Sequence, residues 1–185
     1  MAQRVCPVWI GYLLLVPLRK LSQNPDKILA PHVRPGMTVL DVGSAMGYFS
    51  IPLARMVGMK GKVICIDMQP KMLTVLQKRA VKAGVADRIA AHLCTQNSLA
   101  LEKFAGTVDF ALAFAMVHEV PDAGKLFQEI AAALKPHARL LIAEPRGHVS
   151  DKDFGATVST AQQTGFQVVD EPKISRSHAV LLEKQ

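Results

Sequence analysis

The chain of 185 residues carries 22 Lys and Arg against 15 Asp and Glu, a formal net charge of +7, with half its residues hydrophobic and a fifth charged. This profile excludes a disordered tail, and 12 Gly with 11 Pro exclude collagen-like and low-complexity classes. The length suits one domain with a sizeable core and leaves no room for a separate substrate module.

Residues 1–36 hold five bases (Arg4, Arg19, Lys20, Lys27, Arg34) against one acid, Asp26, so +4 of the +7 lies in a fifth of the chain. The apolar run at 8–18 is eleven residues long, short of the roughly 20 that a membrane-spanning helix needs. Arg19 and Lys20 follow it with no small-residue cleavage site, so it reads as part of the mature protein. Residues 1–36 are expected to form a cap in which Trp9, Tyr12, Leu14 and Leu15 offer an apolar wall to the acceptor, or through which two copies of the chain form a homodimer. The accompanying bases either attract an acidic acceptor or form a solvated face.

From residue 37 to 185 short aliphatic runs alternate with longer helical patterns, the signature of an α/β domain. Strands are expected at 37–41, 62–66, 89–94, 108–114, 139–144, 166–170 and 178–182. Helices are expected at 48–57, 70–83, 123–134 and 150–164, where apolar residues recur every three or four positions, with Gly84, Pro136 and Gly165 as stops. The last two strands are joined by only 171–177, too short for a parallel crossover, so they are expected to pair antiparallel.

Cys6, Cys65 and Cys94 are widely spaced, odd in number and without a C-x-x-C pairing, which fits a reducing cytoplasm better than a disulfide framework.

The most informative segment is Val39-Leu40-Asp41-Val42-Gly43-Ser44-Ala45-Met46-Gly47-Tyr48-Phe49, an aliphatic strand entering a glycine-containing loop and then a helix. Its glycines either make a tight turn or let a ligand approach the main chain. A dinucleotide fingerprint from Gly43 would need glycine at Ala45 and Tyr48, and Tyr48 would crowd a pyrophosphate. No Lys-Ser or Lys-Thr closes the loop as a Walker motif requires. What remains is D-x-G-x-x-x-G with an acid, Asp67, at the end of the next strand. Asp67 stands where such folds bind ribose hydroxyls, or it caps the helix beginning at Pro70.

This segment, with CIDMQPKML, VDFALAFAMVHEV and FQEIAAALKPHARLLIAEP, resembles the class I S-adenosylmethionine-dependent methyltransferases, in particular the type 11 and ubiquinone/menaquinone-biosynthesis group, over about residues 34–145. The resemblance implies a Rossmann-like three-layer α/β sandwich with a seven-stranded, mostly parallel sheet and an antiparallel last strand. It implies that Asp41, Gly43, Ser44, Ala45 and Gly47 surround the methionine part of the cofactor, Asp67 binds the ribose diol and Met68 packs on the adenine. The loop from Thr95 through Gln96 and Asn97 to Ser98 would meet the adenine rim, and Phe114 to Met116 would line the transferring methyl. The family usually has glycine in place of Ala45 and a Pro-Gly-Gly turn in place of Pro136-His137-Ala138. S-adenosylmethionine bears a carboxylate and an ammonium instead of a pyrophosphate. A helix N-terminus near Tyr48 would favour the first and Asp41 would offset the second.

A sulfonium methyl is already electrophilic, so such a protein supplies mainly alignment. His118 and Glu119 follow the fourth strand and are the expected proton-handling residues, unless they only line the pocket. Glu144 and His148, after the fifth strand, are expected either to position the acceptor or, for Glu144, to brace the loop at Arg146. His118, His148, Glu144 and Cys94 come from separate strand ends with no H-x-x-x-H spacing, so no metal is expected. The expected activity is methyl transfer to a small molecule. A nucleic-acid substrate is not expected, because the fourth strand leads into Ala115-Met116-Val117-His118 in place of an Asn/Asp/Ser-Pro-Pro-aromatic motif and no Pro-Cys nucleophile occurs. A nucleic-acid methyltransferase and a cofactor-binding module without catalysis are the alternatives.

Overall fold

The structure is a computed structural model that describes residues 19–185. Trp9, Tyr12, Leu14, Leu15 and Cys6 therefore lie outside the described residues. Seven strands, β1 (Thr38–Val42), β2 (Lys62–Asp67), β3 (Ile89–Leu93), β4 (Val108–Phe114), β5 (Leu134–Pro145), β6 (Phe166–Asp170) and β7 (Ser177–Lys184), form a sheet of order β3-β2-β1-β4-β5-β7-β6. Among the described residues six α-helices accompany them: α1 (Arg19–Ser22), α2 (Pro25–Leu29), α3 (Ser50–Met56), α4 (Pro70–Lys82), α5 (Ala123–Ala133) and α6 (Asp151–Gln163). The chain divides into two compact units at Cys94/Thr95.

In the first unit β1 pairs parallel with β2, and β2 with β3, in a register that sets Asp41 beside Cys65 and Asp67 beside Leu93. Val39 through Val42 and Val63 through Asp67 are buried without alternation, the pattern of parallel strands covered on both faces. α3 and α4 pack on β2, and α4 also on β3. Proline at the first turn of α4 supplies a preset φ where no N–H partner is needed. Its Met72, Leu73, Leu76 and Ala80 form the buried stripe. α2 is capped by Asn24, whose side chain accepts from the Asp26 N–H at 3.0 Å.

In the second unit β4 and β5 run parallel, while β7 lies antiparallel to both β5 and β6. The expected antiparallel pairing of the last two strands is thus present, with β7 inserted between β5 and β6. α5 begins at Asp122, whose carboxylate accepts from the Lys125 N–H at 2.9 Å. α6 begins at Ser150, which accepts from the Asp153 N–H at 3.1 Å and donates to its carboxylate at 2.6 Å, a reciprocal cap.

Two elements start more than one residue away from the sequence reading. The helix expected from Tyr48 starts at Ser50, because residues 45–49 form a turn first. The strand expected from Arg139 starts at Leu134, which pairs with Val108 before the register shifts to Phe110 opposite Arg139. The extra residues are taken up around Pro136 and His137, the latter at φ 60°. Among the described residues no helix is long and apolar enough to cross a membrane.

Gly61, just ahead of β2, tests this packing. A Cβ there would stand 2.4 Å from Val57 Cβ and 2.6 Å from the Met37 carbonyl oxygen, so backbone would have to move. Urea unfolding should show Gly61→Ala losing roughly 2 kcal/mol or more. Gly155→Ala, inside α6 with nothing within 4 Å of the new Cβ, should gain up to about 1 kcal/mol from helix propensity. Equal effects of the two changes would contradict the packing at Gly61.

Candidate active site

In the first unit the turn after β1 is shaped by its backbone. Gly43, Ala45 and Gly47 all have positive φ, at 71°, 46° and 80°. At Gly47 a Cβ would also press on the Leu76 side chain at 3.1 Å. Ala45 in the left-handed region costs on the order of 1 kcal/mol, a cost that a glycine at this position would not bear. The Ser44 N–H donates to the Ile66 carbonyl at 2.9 Å and the Gly47 N–H to the Ser44 carbonyl at 2.9 Å. The Arg79 guanidinium donates to the Met46 carbonyl.

Asp67 closes this turn. Its Oδ2 accepts from the Ala45 N–H at 2.9 Å and its Oδ1 from the Gln69 N–H at 2.8 Å. Burial raises its carboxyl above the ordinary range, and the N–H groups of Gln69, Ala45 and Met68 pull it back down. The cap of α4 is Gln69 itself, so Asp67 serves the turn and the approach to the helix together. Met68, next in sequence, is 36% exposed. Ser44 Oγ is buried and has no hydrogen-bond partner, an orphaned polar atom inside the turn.

Asp41 is deeper. It is buried, and its Oδ2 accepts from the buried Ser50 hydroxyl at 2.5 Å. Burial pushes its carboxyl up to about 7, the Ser50 hydroxyl holds it partly down and the charge of Asp67 adds to the rise. Over the turn, the Arg19 guanidinium lies 4.3 Å from the Tyr48 ring centroid, and the Tyr48 hydroxyl donates to the Gln23 carbonyl at 2.8 Å. Arg19 is thus committed to a cation–π contact, and Arg34 Nη1 donates to the Ala30 carbonyl at 2.7 Å.

In the second unit residues 95–98 make a closed turn. Thr95 and Ser98 form an isolated bridge, and Thr95 Oγ1 accepts from the Ser98 N–H at 3.1 Å. The Ser98 hydroxyl turns to Glu129 Oε2 at 3.2 Å, and the Leu99 N–H donates to the same oxygen at 2.5 Å. Asn97 is an exposed member of this turn.

The same unit gathers His118, Glu119, Glu144 and His148. β4 ends at the buried Phe114, and Ala115, at φ 55°, turns the chain. The Met116 and Val117 N–H groups then donate to Glu144 Oε1 at 3.1 and 2.8 Å. The other oxygen, Oε2, meets His118 Nδ1. Glu144 is 1% exposed, so its carboxylate is spent on two backbone amides and one imidazole. The Glu144 bond raises His118 above its ordinary value, burial opposes this, and the charges of Glu144 and Glu119 add to the rise. His118 Nε2 lies 3.9 Å from Glu119 Oε1, and the His148 ring stands 5.9 Å away, edge to face.

Sequence reasoning named Asp41, Asp67, His118 and Glu144 but missed Ser50, Glu129 and the amides of Met116 and Val117. Ser50 stands nine positions after Asp41, with no pattern to single it out. Backbone donors have no side-chain signature at all.

A family model described as a methyltransferase domain matches residues 34–178. Protein-L-isoaspartate O-methyltransferase 1 of Arabidopsis thaliana is 28% identical over 172 residues, 88% of this chain and 71% of that protein. The ubiquinone/menaquinone biosynthesis C-methyltransferase UbiE of Cellvibrio japonicus is 35% identical over 118 residues, 63% of this chain and 46% of that protein, so the chain spans less than half of that relative. A crystal structure of an S-adenosylmethionine-dependent methyltransferase from Aquifex aeolicus superposes with a TM-score of 0.88 at 26% identity, covering 98% of this chain and all of that one.

The buried Asp41 makes a pH prediction. An acid raised from 3.8 to about 7 keeps in the folded state a proton that the unfolded chain has already released. Its stabilising contribution is therefore complete below about pH 4, falls as the pH rises toward 7 and is lost above. Between about pH 5 and pH 8 the protein should lose roughly 2–3 kcal/mol that Asp41→Asn does not lose. Parallel pH profiles of unfolding for the two proteins would contradict this placement of Asp41.

Proposed function

Because the chain belongs to the class I S-adenosylmethionine-dependent methyltransferases, we propose that it transfers the methyl group of S-adenosylmethionine to a small-molecule acceptor, with His118 taking up the acceptor's proton. S-adenosylmethionine supplies an electrophilic methyl on a sulfonium, which leaves as the neutral sulfide.

The residues of the first unit fit that molecule in kind. Asp67 has acceptor capacity beyond its N–H partners and would take the ribose diol. Met68, partly exposed, would lie against the adenine. The turn of Gly43, Ser44, Ala45 and Gly47 would hold the amino-acid end, and the orphaned Ser44 hydroxyl would gain there the partner it lacks. Asp41, buried against Ser50, would act by shaping the turn and not by touching the ligand. Asn97, Ser98 and Phe114 would be further cofactor contacts, with Asn97 the member of its turn best placed to offer a side chain, since Ser98 is turned to Glu129.

The observation that carries the reaction is the pair of His118 and Glu144. An ionised Glu144 accepts from Nδ1–H, which fixes the tautomer and leaves Nε2 as the basic nitrogen. Glu144 thereby becomes a positioning residue and not a substrate contact, while Glu119 and His148 remain candidates for meeting the acceptor. A homodimer is part of this reading. A cytoplasmic location is part of this reading, supported by the thiol of Cys65.

Calorimetric titration with S-adenosylhomocysteine tests the cofactor assignment. A carboxylate's hydrogen bonds contribute about 1.5–3 kcal/mol each, so Asp67→Asn should weaken binding by on the order of tenfold or more. Ala45→Gly should bind at least as well as the parent and unfold at a higher temperature. Undiminished affinity in the Asp67 variant would remove Asp67 from the cofactor site.

A further inference from the structure

The charge of the chain is divided unevenly. Residues 19–94 hold 12 Lys and Arg against four Asp and no Glu, and two of the four, Asp41 and Asp67, are buried. Residues 95–185 hold nine bases against 11 acids, and several of those bases meet acids. Lys135 Nζ lies 2.5 Å from Asp109, Arg139 Nε 3.1 Å from Glu183 and Arg146 Nη1 3.9 Å from Asp151. The excess positive charge is therefore carried by the first unit.

α4 concentrates it. Its 13 residues include Lys71, Lys78, Arg79 and Lys82 and no acid. Lys71, Lys78 and Lys82 are all exposed; at 3.6 residues per turn they fall within about 20° of one line and span about 16 Å. Arg79 is turned away from this stripe, to the Met46 carbonyl. The basic surface continues past the helix. Val63 pairs with Ile89, which sets Lys62 beside Arg88. Arg88 reaches the Ala54 carbonyl at 3.4 Å and the Met59 sulfur at 3.0 Å, next in sequence to the exposed Arg55 and Lys60.

The helix gains nothing from this arrangement. Lys71 stands in the first turn, where the dipole favours an acid, and Lys78 and Lys82, four positions apart, repel each other. α6, by contrast, opens on Asp151 and Asp153. Positive charge kept at the expense of its own helix calls for an external anion.

We infer that the stripe of Lys71, Lys78 and Lys82, extended by Arg55, Lys60 and Lys62, docks the phosphate backbone of double-stranded RNA, as a partner distinct from the methyl acceptor. Lysine is depleted at protein–protein interfaces, whereas it neutralises phosphates and releases their counterions. Neither α4 nor residues 55–62 contain an aromatic residue, so the stacking platform that single-stranded bases require is missing. The stripe offers no Asn, Gln or Arg to a base edge. That suits an A-form duplex, whose deep, narrow major groove hides its bases and which is recognised by shape and backbone. On α4 the exposed large apolar residue is Val81, too little to insert into a lipid surface.

Fluorescence anisotropy of the full chain with a labelled RNA duplex of about 20 base pairs, at salt concentrations from about 50 to 300 mM, tests the docking. Each neutralised phosphate contributes about 0.9 to the slope of log K against log salt. The triple variant Lys71→Gln, Lys78→Gln, Lys82→Gln should therefore flatten the slope by about three. The triple variant Lys125→Gln, Lys152→Gln, Lys173→Gln removes the same charge from exposed positions of the second unit and should keep the slope of the parent. Thermal unfolding followed by circular dichroism should place the stripe variant at or above the parent, since it relieves repulsion. A lower unfolding temperature would show that the stripe serves the fold and would overturn the inference. So would no binding to the duplex at the lowest salt, equal flattening in the two variants, or tighter binding to a single strand, a DNA duplex of the same sequence or a phosphatidylserine vesicle.

Discussion

The bond from the Ala45 N–H to the buried carboxylate of Asp67 is the constraint on which the first unit's site depends. A carboxylate taken out of water is costly unless its lone pairs are satisfied, and Asp67 is satisfied by the main chain of the turn on one oxygen and of Gln69 on the other. The turn is therefore tied to the end of β2. Its left-handed residues follow from that tie: Gly43 and Gly47 adopt them freely, and Ala45 does so at a cost. Such local strain persists only where surrounding bonds over-determine it, and the Asp67 carboxylate is one of those bonds.

The second unit repeats the device with different chemistry. Glu144 is buried more deeply than Asp67, and it too is satisfied by backbone N–H groups, those of Met116 and Val117, on one oxygen. Its second oxygen goes to an imidazole, which converts a structural carboxylate into one that governs a proton. Ala115, in the left-handed region directly after β4, directs the amides of Met116 and Val117 at Glu144 and carries His118 with them.

β4 was legible because a buried parallel strand reads as a continuous aliphatic run, and both it and the antiparallel edge strand β6 fall on the expected residues. α4 was legible through Pro70, its apolar stripe and Gly84. The start of α3 was not, because Tyr48 and Phe49 look helical while the turn's backbone bonds delay the helix to Ser50. The start of β5 was hidden by Pro136, a residue that usually ends structure and here sits within an irregular strand. Of the site, residue types and spacing gave Asp67 and His118. The partners of Glu144 were out of reach, because main-chain amides and a contact spanning 26 positions leave no periodic trace. Asp41 was legible as an acid at a strand end, but its burial against Ser50 depends on where α3 begins.

Amide hydrogen exchange with and without saturating S-adenosylhomocysteine tests the central claim most directly, that the turn and Asp67 form the cofactor cradle. The amides of residues 43–48 and of Gln69 should gain protection together, since one carboxylate holds both segments. Unchanged exchange across those residues at full occupancy, with protection arising elsewhere, would contradict it.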